Sequence, residues 1–318
     1  FEPPKRILDV LNSEIKNLGF RYYPEKNLNN LREIIGQFHE INPDNIMPGN
    51  GASELITWAG FEASKAGTSC IPSPGFVDYE RSLNCWNARF HYSELPKNWD
   101  NIFPQTFPIK PTGDVIWITN PHNPTGQLWG KNSLKSILKK YKLVICDEAF
   151  LSITPHGEKE SLISLTKKYD NLLVLRSLTK LFNIPGLRLG YVIGSSKKLK
   201  KWNYNRDPWP LNSFAIKAGI DLLSNKTFYN QWTKKIHHWI KTEKKFVYGE
   251  LNNIKNLKIH NSSTNFFLIE GKSSLSPNIN YLEHKGILIR ECSSFKFLNE
   301  KWARISLQSS ENNKILCK

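Results

Sequence analysis

The chain has 318 residues, 39% hydrophobic and 12% aromatic, which is enough for one large or two medium domains with a buried core and excludes wholesale disorder. The formal net charge of +16 suits an anionic substrate, but Lys and Asn are spread everywhere and the densest basic run, Lys197-Lys198-Leu199-Lys200-Lys201, reads as a short solvated helix, so no nucleic-acid partner is expected. No apolar run approaches the ~18 residues of a membrane helix, so no membrane partner is expected, and the scattered Cys70, Cys85, Cys146, Cys292 and Cys317 exclude a disulfide framework or zinc site and point to a reducing, cytoplasmic setting.

From the N-terminus, Phe1-Glu2-Pro3-Pro4-Lys5 has neither an initiating Met nor the look of a signal peptide, so residues upstream are expected. Residues 4–18 carry Ile7, Leu8, Leu11, Ile15 and Leu18 at helical spacing, with Gly19 as a stop. A second amphipathic helix is expected over 27–40, from Leu28, Leu31, Ile35 and Phe38. From Gly49 onward helical patterns, such as Leu55–Ala63, alternate with apolar runs at Val115–Thr119, Leu143–Cys146, Leu172–Leu175 and Leu189–Ile193. Such alternation predicts an α/β domain on a largely parallel sheet. Beyond Ser224 come a long helix, about 226–252, and strands at Asn265–Ile269, Ile287–Arg290 and Ala303–Leu307, as in a smaller α+β domain. The expected division is an N-terminal helix over 1–20, a large domain over 21–224 and a small one over 225–318.

Several stretches carry chemistry. Pro48-Gly49-Asn50-Gly51-Ala52-Ser53-Glu54 opens a helix with small residues, which let backbone N–H groups approach a phosphate at the positive helix end. Phe76, in Ser73-Pro74-Gly75-Phe76, can lay its face on a ligand ring, a place in the core being the ordinary alternative. In Asn120-Pro121-His122-Asn123-Pro124-Thr125-Gly126 a rigid turn can hold the Asn123 amide in place; a plain turn is the alternative, and His122 reads as a turn residue. Asp147, in Cys146-Asp147-Glu148-Ala149-Phe150, ends a strand where α/β sheets bind ligands, unless it caps the next helix. In Leu175-Arg176-Ser177-Leu178-Thr179-Lys180 a strand ends in two hydroxyls and a lysine, and Arg188 follows a loop with Asn183, Pro185 and Gly186. A partly desolvated lysine can lose its proton and attack an aldehyde, although alone it is ordinarily a surface residue. Ser177 and Thr179 offer hydroxyl donors, and Arg188 offers a planar fork suited to phosphate.

In order and separation these pieces resemble the fold-type I pyridoxal-phosphate (PLP) family of class I/II aminotransferases over nearly the whole chain. The N-P-x-N-P-T-G, D-E-A and S-x-T-K…G-x-R-x-G blocks are together highly specific. The resemblance implies a fold-type I PLP-dependent transferase fold, α/β, with a large domain on a mostly parallel sheet and a smaller α+β C-terminal domain. By position it makes Lys180 the Schiff-base lysine and Asp147 the partner of the ring nitrogen. It assigns Asn123 to the cofactor O3′, Phe76 to the ring face, and Gly51, Ala52, Ser53, Ser177, Thr179 and Arg188 to the phosphate. Tyr23, in Arg21-Tyr22-Tyr23-Pro24, matches a tyrosine that reaches the partner subunit's cofactor phosphate, which implies a homodimer.

Within that family, Pro74–Tyr79, Asp147–Phe150, Leu175–Lys180, Ile184–Tyr191, Pro208–Asn212 and Ile287–Cys292 look most like the decarboxylases of L-threonine O-3-phosphate in cobalamin biosynthesis. Histidinol-phosphate aminotransferases are the next likeness. These commonly carry, at the position of Phe150, a Tyr that donates to O3′, and Phe cannot donate. A decarboxylase must raise the substrate carboxylate out of the ring plane, and a tight Arg–carboxylate pair would stabilise the ground state more than a transition state losing charge as CO2. Arg290 and Arg304 are therefore expected to bind the anion of a small phosphorylated amino acid, phosphate favoured over carboxylate, with an exposed or structural arginine as the alternative for each. Asn123, Asn212 and Asn265 are expected to line the same pocket, with core-capping as the alternative for Asn212 and Asn265. Gln308 departs from the decarboxylase pattern, which has a second Arg there, and one anion contact is expected to be missing.

Overall fold

In a computed structural model, residues 1–99, 102–110 and 112–317 are described. The elements in chain order are α1 (Lys5–Lys16), α2 (Asn29–His39), β1 (Ile46–Asn50), α3 (Gly51–Ala66), β2 (Ser69–Ser73), α4 (Asp78–Asn84), β3 (Phe90–Glu94), β4 (Val115–Thr119), α5 (Lys131–Ile137), β5 (Leu143–Asp147), β6 (Leu172–Ser177) and β7 (Leu189–Ile193). They continue with α6 (Ser196–Asn205), α7 (Ser213–Ser224), α8 (Lys226–Leu251), β8 (Leu257–Ile259), β9 (Phe266–Gly271), α9 (Ser276–His284), β10 (Arg290–Glu291), β11 (Trp302–Ser306) and α10 (Ser310–Leu316).

Strands buried on both faces read as continuous apolar runs, and β4 shows why. Val115 and Trp117 join a core with Leu55, Ile56, Leu173 and Trp202, while Ile116 and Ile118 join the opposite core with Val144, Val174 and Leu222. The seven-stranded sheet has the order β1-β7-β6-β5-β4-β2-β3. Strands β3, β2, β4, β5 and β6 are parallel, and β7 runs antiparallel to both β6 and β1. The expectation of an α/β fold on a largely parallel sheet is met, with β7 as the reversed strand. Each fully buried Leu, Ile or Val stabilises the fold by about 1.5–3 kcal/mol, so these two faces hold the strand ends in fixed positions.

A second, antiparallel sheet has the order β10-β11-β9-β8. The expected strand at Ile287–Arg290 shrinks to Arg290–Glu291; Leu288 is 81% exposed, and Ile287 and Ile289 beside it are only half-buried. Helix α8 starts where the Asn225 side chain accepts a hydrogen bond from the Phe228 N–H at 2.9 Å, an ordinary N-cap. The five cysteines are unpaired. Among the described residues no helix is long and apolar enough to cross a membrane, and no cluster of three His, Cys, Asp or Glu is placed for a metal.

Candidate active site

Strand register builds the site. Thr119 on β4 lies opposite Asp147 on β5, which lies opposite Leu175 on β6. Further across, Ser177 faces Gly190 on β7, which in turn faces Gly49 on β1. The carboxyl ends of the central strands, the place where open α/β sheets bind ligands, thus present Thr119, Asp147 and Ser177 in one row. The entry to α3 closes that row.

Asp147 is 5% exposed. Its Oδ2 accepts from the Tyr79 hydroxyl at 2.8 Å and its Oδ1 from the Ala149 N–H at 2.9 Å. Burial pushes its carboxyl above the usual range, and the bonds from Tyr79 and Ala149 and the charge of Lys180 oppose the shift. No helix follows for it to cap, since residues 149–156 are turns. Lys180 is exposed, with its amine 5.3 Å from the Phe150 ring centroid. Partial enclosure, then the charge of Arg304, lowers its pKa; Asp147 pulls the other way and Arg188 adds to the lowering. A lysine with a lowered pKa and a buried carboxylate therefore lie in electrostatic reach of each other.

The expected phosphate cradle is assembled around a glycine. Gly51 has φ +72, and a Cβ there would sit 2.6 Å from Arg188 Nη2, so the guanidinium lies directly over the start of α3. A Cβ on Gly190 would meet the Ala52 nitrogen at 2.9 Å and the Arg176 carbonyl at 2.8 Å. The Asn50 side chain does not cap the helix; Glu54 Oε2 accepts from the Asn50 N–H at 2.6 Å, and the N–H groups further into the first turn are the ones that can meet an anion. Ser53 lies in the same first turn. Ser177 and Thr179 are buried, with their hydroxyl oxygens 2.8 Å apart at the end of β6.

On the opposite wall, Arg304 Nη1 donates to Asn123 Oδ1, while its Nε is buried without a partner. Phe150 packs edge-on against Phe266, with centroids 5.3 Å apart. Phe76 packs edge-on against Tyr79 at 5.7 Å and lines a cavity of about 450 Å³ with Gly75, Tyr92 and Phe295. Arg290 and Arg304 are register partners on β10 and β11, and both border a cavity of about 500 Å³ that also includes Gln308 and Asn312. Arg290 is exposed and donates to the Ser294 hydroxyl at 2.8 Å.

Three expected residues stand apart. The Asn212 side chain caps α7, accepting from the Ala215 N–H at 2.8 Å, and it does not line the Arg290–Arg304 cavity. The Asn265 Oδ1 is buried without a partner, and this residue does not line that cavity either. Tyr23 is 80% exposed, with its ring against Trp209 at 4.5 Å.

Sequence reasoning missed four neighbours of the site. Tyr79 and Thr119 stand behind Asp147, with their oxygens 2.8 Å apart. Beside it, Glu148 is buried and paired with Arg176 at 3.0 Å, and Arg176 is also paired with Glu158. Tyr79 lies one helical turn beyond Phe76 and reads as core in sequence. Glu148 and Arg176 lie inside blocks singled out for other residues.

An amine with a lowered pKa, a buried acid and a glycine-floored helix end under an arginine define a fold-type I α/β enzyme. The Gly51–Arg188 cradle, a helix N-terminus under a guanidinium that a Cβ at residue 51 would collide with, has the donors to fit the phosphate of pyridoxal phosphate, and the unpartnered Arg304 Nε fits a further anion. The chain belongs to the aminotransferase class I and II family, whose model matches residues 1–318, and that family depends on pyridoxal phosphate. A protein of Caldanaerobacter subterraneus subsp. tengcongensis, provisionally named a threonine-phosphate decarboxylase, is 31% identical over 99% of this chain and 85% of its own length. The crystal structure of the histidinol-phosphate aminotransferase from Clostridium acetobutylicum matches with a TM-score of 0.85 and 28% identity, over 100% of this chain and 95% of that one. That of L-threonine-O-3-phosphate decarboxylase from Porphyromonas gingivalis matches with a TM-score of 0.81 and 26% identity, over 97% and 93%.

Proposed function

We propose that the chain decarboxylates L-threonine O-3-phosphate to (R)-1-aminopropan-2-yl phosphate, as a cytoplasmic homodimer serving cobalamin biosynthesis. The observation that carries this reading is Phe150, whose hydroxyl-free ring stands 5.3 Å from the Lys180 amine, where the aminotransferase likeness has a donor to the cofactor. When bound, pyridoxal phosphate supplies an electron sink for the pair left at the substrate Cα. Asp147, kept charged by Tyr79 and Ala149, holds the proton at the ring nitrogen. Asn123 offers its amide to O3′ and is itself steadied by Arg304. Gly51, Ala52, Ser53, Ser177, Thr179 and Arg188 hold the cofactor phosphate, and Phe76 covers the ring.

Arg290 and Arg304 together suit the dianion of a phosphate ester. Spending them on phosphate leaves the carboxylate untied, which favours its departure as CO2. The Cα–carboxylate bond breaks, and Lys180, from its ammonium, returns one proton to Cα. Tyr23 and Trp209, adjacent and exposed, support a surface covered by a second copy.

The likeness to the Clostridium structure favours a second reading, transamination of histidinol phosphate. Purified enzyme given each substrate separates the two. Amine and CO2 without 2-oxoglutarate support decarboxylation, whereas glutamate formed only with 2-oxoglutarate overturns it. Borohydride reduction and mass mapping must place the cofactor on Lys180 in either case.

A further inference from the structure

Burying a carboxylate on a strand end raises a problem of its own, because a desolvated acid takes up a proton and becomes useless as a counter-charge. Asp147 is enclosed, and its pKa is raised by that enclosure. Its ionisation therefore depends on the charge of Lys180 nearby and on what donates to it. One donor is the Ala149 backbone, which no side-chain change removes. The other is the hydroxyl of Tyr79, 2% exposed on α4.

The direction of that bond is fixed by proton counting. A phenol has one proton. Burial, and next the nearby Asp147 charge, hold the Tyr79 pKa well above its ordinary value, so the phenol stays protonated. Asp147 Oδ2 accepts that proton at 2.8 Å. The Thr119 hydroxyl, 2.8 Å from the Tyr79 hydroxyl oxygen and 6% exposed, must then donate to Tyr79. The relay runs Thr119 to Tyr79 to Asp147. The Tyr79 ring is clamped for this task, stacked on Trp117 with centroids 5.0 Å apart and an interplanar angle of 29°, and edge-on to Phe76.

We propose that Tyr79, oriented by Thr119, is the positioning residue that keeps Asp147 ionised and aimed at the cofactor ring nitrogen. The inference rests on the role given to Asp147 above. Tyr79 touches neither substrate nor cofactor in this scheme, and it acts only through the carboxylate.

Tyr79→Phe keeps the ring and its stacking and removes only the donor. A bond to a charged group of this kind is worth about 1.5–3 kcal/mol, so the cofactor dissociation constant, followed by quenching of tryptophan fluorescence, rises roughly 10- to 100-fold. The kcat falls by a similar factor while KM stays within about twofold. In an Asp147→Asn background, where no charge remains to be held, Tyr79→Phe changes cofactor affinity by less than about twofold. Thr119→Val, which frees the phenol without removing it, acts in the same direction by about two- to fivefold and supplies the test should Tyr79→Phe fail to fold.

The inference is overturned if Tyr79→Phe, folded as judged by the thermal midpoint of the apoprotein, binds cofactor like the parent. It is equally overturned if the substitution costs as much with Asn at 147 as with Asp. Should Asp147→Asn itself leave cofactor affinity unchanged, it is the role of Asp147, and not that of Tyr79, that has failed.

Discussion

Gly51→Ala tests the phosphate cradle with one methyl group. Two costs follow from the geometry. Gly51 has φ +72, and an L-residue in that left-handed region costs roughly 1–2 kcal/mol of stability. The new Cβ also falls 2.6 Å from Nη2 and 2.9 Å from Cζ of Arg188, well inside van der Waals contact. Those atoms end a flexible side chain, so the guanidinium swings away and the backbone survives. If Arg188 holds the cofactor phosphate, its displacement loses a charge-assisted bond of about 1.5–3 kcal/mol, and the cofactor dissociation constant rises roughly 10- to 100-fold. Cofactor titration of purified protein measures that effect, and the thermal midpoint of the apoprotein reports the strain separately, as a drop of about 1.5–3 °C. In an Arg188→Ala background no guanidinium remains to be displaced, so Gly51→Ala then changes affinity little. Parent-like affinity in Gly51→Ala, or full additivity with Arg188→Ala, refutes the cradle.

Further predictions concern stability and substrate binding. His122 is buried, and burial lowers its pKa to about 3. The unfolded chain takes up this proton near pH 6.5 and the folded one only near pH 3, so the stability held by the neutral ring is full above pH 6.5 and is lost as pH falls toward 3. Between pH 7 and 5 the loss is about 2 kcal/mol, measured by denaturant unfolding; an unchanged pH slope in His122→Asn refutes it. Glu148→Ala removes one partner of Arg176 in a pair with side chains 0% and 4% exposed, and is expected to cost about 3 kcal/mol. Glu148→Leu with Arg176→Met is expected to cost less than that single change, and a purely additive loss contradicts this account. Gln308→Arg puts a third guanidinium beside Arg290 and Arg304 and is expected to lower KM for the phosphorylated substrate by up to about fivefold. An unchanged KM means that the phosphate lies elsewhere.

The parts of the fold legible in sequence were those buried on two faces. Strands β4 and β7 were read to the residue because every position in them is buried and all but the β-branched Thr119 are apolar or glycine. Strands β5 and β6 were read short, since they end in Asp147 and in Arg176-Ser177, which are buried but polar. Strands β1 and β2, Ile-Met-Pro-Gly-Asn and Ser-Cys-Ile-Pro-Ser, carry proline and small residues that hide a strand from any propensity argument. The reversal of β7 has no local signature at all, being a property of the loop through Arg188. The same holds for Arg290 and Arg304, which are 14 positions apart in the chain and become neighbours only through the β10–β11 register.

The positions that break local rules gather where the candidate site lies. Gly51 and Arg188 both have positive φ, the latter at +57 and not a glycine. Asp147 and Glu148 are buried carboxylates in succession, and Arg304 keeps a buried donor without a partner. Each costs free energy that a plain α/β core would avoid. The two-sided core tolerates them because the strand ends are fixed from behind by Val115, Trp117, Ile145 and Leu175 on one face and Ile116, Ile118, Cys146 and Val174 on the other. Tyr79 belongs to both worlds, its ring in that packing and its hydroxyl on Asp147. Periodicity sees only the ring, which is why a residue so close to the carboxylate reads in sequence as nothing more than core.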